Sequence, residues 1–129
     1  MDAADARVEV EAVYREFLPL NSRLRSAVTN WQIRPTDDDP FAVNRHRDAV
    51  WDARIVAELA ALARDLRPLI RALEARLPRF SGYDRRFSSA ASRVQDGERA
   101  WVDVIELDSC HTVWFELHED LLATLGLQR

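Results

Sequence analysis

Between Asp5 and Val28 the apolar residues fall at Val10, Val13, Phe17, Leu20, Leu24 and Val28, three or four positions apart. That spacing returns each side chain to one face of a 3.6-residue helix and predicts an amphipathic α-helix. Pro19 lies inside it; a proline there removes a backbone hydrogen bond, so a kink is expected near Leu18. Residues 34–40, Arg-Pro-Thr-Asp-Asp-Asp-Pro, hold two prolines and three consecutive acids and read as a surface loop. Asp39 before Pro40 reads as a helix start.

A second helix is expected from about Phe41, with Trp51, Ile55, Leu59, Leu62 and Leu66 on its inner face. It bends at Pro68 and continues through Leu69, Ile70, Leu73 and Leu77 until Pro78 ends it. The third carries Tyr83, Phe87, Ala90, Ala91 and Val94, capped by Ser81 and stopped near Gly97. Trp101 to Asp108 alternates loosely, but a lone strand has no partner in the chain, so it is assigned to a packed connector. The last helix starts at Asp108 or Ser109 and runs to Leu125, with Gly126 as its stop. The pattern predicts an all-α, up-down-up-down bundle of about four kinked amphipathic helices, one domain over residues 1–129. Its second and fourth helices would run parallel.

Composition agrees with a folded domain. Of 129 residues, 47% are hydrophobic and 31% charged, and three glycines with five prolines leave little material for loops. Every basic residue is arginine, which with the abundant alanine suggests a GC-rich bacterial genome. A net charge of -4 argues against a nucleic-acid partner, since such domains carry a basic excess. The single Cys110 cannot form an internal disulfide, and the start Met-Asp-Ala-Ala-Asp lacks the basic-then-apolar pattern of a leader, so a cytoplasmic protein is expected. No apolar run approaches the roughly 20 residues that cross a bilayer, so no membrane partner is expected.

Candidate chemistry concentrates on two helices. At 100° per residue, Cys110, Val113, Trp114, Leu117, Leu121 and Leu125 define the core face of the last helix, and His111 and His118 fall among them, seven residues apart. On the second helix Asp48 and Asp52 share a face with Trp51, Ile55 and Leu59. A buried carboxylate without a partner is costly, so an imidazole, an arginine such as Arg23, a tryptophan indole or a metal should face it. If the second and fourth helices are neighbours, Asp48, Asp52, His111 and His118 form one polar cluster. Its default role is to fix helix register; the alternatives are a metal or small-ligand site and an acid-base pair.

The motifs of known cofactor sites are missing. No Glu-x-x-His or His-Glu-x-x-His pattern occurs, so any metal would need mixed ligation by aspartate with His46, His111 or His118. There is no phosphate loop, nucleophile elbow or dinucleotide fingerprint, and the sequence names no cofactor. Cys110 beside His111 at a helix start has the setting of an activated thiolate, but its core-face position favours a buried thiol.

Arg64, Arg67 and Arg71 follow one helical face, while Trp31 and Trp101 sit at helix ends or connectors. By default such arginines oppose a helix dipole and such tryptophans fill core; both types are also the ones most enriched in binding hot spots. With no complete catalytic motif, the expected function is that of an accessory or interaction protein. It would act through a protein partner or as a homodimer, using Trp31, Trp101, Arg64, Arg67 and Arg71. The alternative is a small bundle enzyme or a metal- or small-molecule-binding protein built on Asp48, Asp52, His111 and His118.

Overall fold

A computed structural model describes the backbone of residues 3–127 and the side chains of residues 6–127. It contains four α-helices: α1 (Ala3–Gln32), α2 (Ala49–Arg76), α3 (Tyr83–Gln95) and α4 (Cys110–Leu125). Short 3-10 turns at Pro78–Phe80 and Arg99–Trp101 lie in the joints before α3 and α4. The described residues include no strand, only an isolated antiparallel bridge between Ile33 and Val43.

Side-chain bonds fix the direction of each helix. Trp51 reaches Asn30, Arg23 reaches Glu58 and Asp65, and Arg76 reaches Glu9, so α2 descends as α1 rises. Tyr83 meets Asp120 while Arg86 meets Glu116, which makes α3 and α4 antiparallel. Trp114 bonds Asn21 and Arg7 bonds the Leu125 carbonyl, which closes α4 against α1. The result is the expected up-down-up-down bundle. Each helix packs on its chain neighbours, and α2 and α4 stand diagonally rather than side by side.

The core is the union of the predicted apolar faces. Phe17, Leu24, Leu59, Leu62, Leu66, Ile70, Leu73, Phe87, Leu117 and Leu121 are fully buried. Trp114 lies between Phe17, with ring centroids 5.1 Å apart, and Phe87, at 5.3 Å, and its indole N–H donates to Asn21 Oδ1 at 3.1 Å. Buried Ala90 and Ala91 let α3 approach closely.

Several boundaries differ from expectation. The second helix starts at Ala49, not near Phe41. Asp48 is its N-cap, in extended conformation, and its carboxylate accepts from the N–H groups of Val50 and Trp51 at 3.1 Å each. Asp39 starts only a turn: its side chain accepts from Phe41 N–H at 2.9 Å while its carbonyl accepts from Thr36. Ser81 does not cap α3; it donates to Glu74, and Gly82 takes the cap position at φ 95°. Ser109 and Gly126 bound α4 as expected. Pro19 and Pro68 interrupt neither helix: both are exposed, so the carbonyl each leaves unpaired, four residues earlier, lies on the solvent side. No helix among the described residues is long and apolar enough to cross a membrane.

Candidate functional site

A helix leaves its last carbonyls without intrahelical partners. At the end of α1 these are answered by the connector and by α2. Trp51 Nε1 donates to Asn30 O at 2.7 Å, Asn44 Nδ2 to Trp31 O at 2.9 Å, and Asn44 N–H to Gln32 O at 2.8 Å. Asn44 is 6% exposed, and its second amide hydrogen goes to Asp52 Oδ1 at 3.0 Å. Its own Oδ1 accepts from the His46 backbone N–H at 3.0 Å. One buried side chain thereby ties the end of α1, the connector and the first turn of α2 together.

This tie places His46 in the left-handed region, φ 57°, where among described residues only glycines accompany it. Asparagine and histidine enter that region more readily than most side chains. The ring lies 4.4 Å from that of Trp31, and its Nδ1 is 2.8 Å from Asp52 Oδ2. Both Asn44 amide hydrogens are engaged elsewhere, so Nδ1 is the donor to the carboxylate. In the neutral ring Nε2 is then the acceptor. No bond to Nε2 is formed by the described residues, and no buried side-chain nitrogen or oxygen among them is unsatisfied, so Nε2 is open to solvent. It borders a cleft of about 490 Å³ walled by Trp31, Asp52, Val56, Val94 and Arg99.

The expected four-residue cluster is thus two separate places. Asp48 pairs with Arg34 at 2.6 Å, and the guanidinium, helped by the Trp51 N–H, holds its carboxyl below the usual carboxylate range. Arg34 also lies over the Trp51 ring, 4.7 Å from its centroid. Asp52 pairs with His46. His111 and His118 line a different groove, about 470 Å³ between α1 and α4, with Tyr14, Leu18, Asn21 and Phe115. The His118 ring is 5.3 Å from Phe17. The diagonal placement of α2 and α4 is the reason: parallel helices across a bundle put core, not each other, in front of their inner faces. No group of three or more His, Cys, Asp or Glu side chains suited to a metal occurs among the described residues.

The remaining candidates divide by burial. Trp31 is 6% exposed and belongs to the core, and what remains accessible of it borders the cleft beside His46. Trp101 is half-buried under the Arg93 guanidinium, 4.5 Å from its centroid. Arg64, Arg67 and Arg71 are exposed, and the latter two share a groove with Arg85, Glu74 and Asp84. Cys110 is buried, and burial pushes its thiol up to about 12, the opposite of an activated thiolate. The connector displays two large apolar side chains that the sequence pattern had assigned to a helix, Phe41 at 76% exposed and Val43 at 67%, and Val50 in the first turn of α2 is 63% exposed.

Against protein-family models, curated proteins and solved structures, the chain finds no match.

Proposed function

We propose that the protein is an accessory module that acts by self-association, as a two-fold dimer formed through the α1–α2 connector. The exposure of Phe41, Val43 and Val50 carries this reading, because the connector and the first turn of α2 that present them are pinned at Arg34, Asn44 and Trp51 and do not fold them inward. Phe41 and Val43, two residues apart beside the Ile33–Val43 bridge, have the spacing that sends side chains to one side of an extended segment. A rigid apolar surface of this kind is the usual basis of an interface.

Charge supports a second copy as the occupant. Asp37 and Asp38 precede the apolar pair, Arg45 and Arg47 follow it, and none of the four has an ion pair among the described residues. A two-fold axis through such a connector sets the acids of each copy against the arginines of the other, since in an isologous contact residue i meets j and j meets i. The exposed arginines of α2 remain for a further protein partner. A cytoplasmic setting is part of the proposal and suits a protein whose single thiol is buried and unpaired.

Sedimentation at micromolar concentration tests the reading. The wild type is expected to show twice the 14.9 kDa of one chain, and Phe41→Ser with Val43→Thr to return it to a monomer. Asp37→Arg with Asp38→Arg, and separately Arg45→Glu with Arg47→Glu, should each give monomers that pair when mixed. A monomeric wild type, or charge variants that do not pair on mixing, overturns the proposal.

A further inference from the structure

The His46 cleft has a polar grammar independent of self-association. It is an open cleft whose volume, about 490 Å³, leaves room for a small molecule. Val56, Val94, Ala53 and Ala57 supply an apolar wall. Two polar features stand at its border without protein partners among the described residues. One is Nε2 of His46, which in the neutral ring is the acceptor because Nδ1 donates to Asp52 at 2.8 Å. The other is the guanidinium of Arg99, which is exposed and forms no ion pair there. Asp52 also faces the cleft, but both its oxygens are engaged, Oδ1 by Asn44 and Oδ2 by His46, which leaves Arg99 as the charge available to a ligand.

An acceptor, a cation and an apolar wall together describe the complement of one kind of molecule. We propose that this cleft binds a small hydroxylated organic acid, its ring or chain against Val56 and Val94, its carboxylate on Arg99 and its hydroxyl donating to Nε2 of His46. The carboxylate on Asp52 orients the imidazole as second-sphere carboxylates orient functional histidines elsewhere. The left-handed backbone at His46 serves that placement: it turns the ring out of the Asn44 turn and onto Trp31. A site built to accept a ligand's hydrogen discriminates strongly against the analogue that lacks it.

The test is an NMR titration of the full chain with 3-hydroxybenzoate and 4-hydroxybenzoate, which hold hydroxyl and carboxylate at two different spans, alongside benzoate and phenol. At least one hydroxybenzoate should give saturable shifts at the Trp31 indole, Val56 and Val94, with benzoate about tenfold weaker for want of the hydroxyl and phenol weaker for want of the charge. Arg99→Gln should abolish the preference for hydroxybenzoate over phenol. His46→Gly, which places a glycine where φ is already 57°, keeps the fold and should make hydroxybenzoate and benzoate bind alike. If neither hydroxybenzoate gives saturable shifts at these residues, or if His46→Gly leaves the preference for the hydroxyl intact, the proposal fails.

Discussion

Asn44 and Asp52 are joined by an amide-to-carboxylate hydrogen bond of 3.0 Å, and through it the last turn of α1 is tied to the first turn of α2. The same amide satisfies the Trp31 carbonyl, and the same carboxylate holds His46. Removing Asn44 leaves a buried carbonyl and half of a carboxylate without donors. Asn44→Ala is therefore expected to lower unfolding free energy by about 1–3 kcal/mol, the cost of stranding buried polar groups. Urea denaturation followed by circular dichroism measures it. His46→Gly should cost far less, and a variant order reversed from this would show that histidine, not asparagine, secures the joint.

Arg86 binds Asp108 Oδ1 at 2.6 Å and Glu116 at 2.8 Å, and so fastens α3 to the start and middle of α4. The Arg86 hydrogen bond holds the Asp108 carboxyl below its ordinary 3.8. A carboxyl depressed by folding stabilises the native state fully above its unfolded value and loses that contribution as pH falls through its folded value. The wild type should therefore exceed Arg86→Gln in stability at pH 6, by under about 1 kcal/mol for a pair this exposed. The gap should close as pH drops below about 4. A gap that does not change between pH 6 and pH 2.5 would assign the Arg86 contribution to packing.

The helices were legible because their apolar residues recur at helical spacing, as in Leu59, Leu62, Leu66 and Leu73 of α2. The start of α2 was not. Asp39-Pro40 has the sequence form of a helix start, but the chain makes only a turn there, bridges Ile33 through Val43 and passes a left-handed residue at His46 before Asp48 caps the helix. His46 was visible in the sequence only as one of three candidate metal-ligating histidines. Its partner Asp52 is six positions away on no shared helical face, and a left-handed residue brings them together. A periodic reading finds faces and misses contacts made across a turn. Joining Asp48, Asp52, His111 and His118 in one cluster rests on the assumption that the second and fourth helices are neighbours, and no periodicity states which helices are diagonal.

Cys110 offers a probe of local opening. It is fully buried at the start of α4, and its thiol is pushed up to about 12 by burial, so both access and thiolate formation require the helix to lift. Labelling by a disulfide reagent at pH 8 is expected to run at least about a hundredfold slower in the native protein than in urea. Trp101→Ala, which removes packing from the connector before α4, should speed it. A native rate equal to the unfolded one would mean that α4 is not held at its N-terminus.

Pro19 and Pro68 give the last prediction. A proline inside a helix costs about 3 kcal/mol relative to alanine, through the lost N–H and the clash of its ring with the preceding turn. Both side chains are exposed, so alanine meets no packing obstacle at either site. Against this, proline restricts the unfolded chain and returns part of the cost. Each single replacement by alanine should therefore stabilise, by about 1–2 kcal/mol. The two positions are also linked in space. Arg23 of α1 pairs with Asp65 of α2 and Glu9 with Arg76, and in that antiparallel register Pro19 falls opposite Pro68. Both prolines thus sit at one level of the α1–α2 contact, so any bend they impose acts on the same packed surface. The Pro19→Ala, Pro68→Ala double variant is then expected to gain more than the sum of the singles, a coupling that a double-mutant cycle in urea measures directly. Strict additivity would show that the two prolines bend nothing in common, and a loss of stability in the double variant would show that the curvature itself is needed to close α4 against α1.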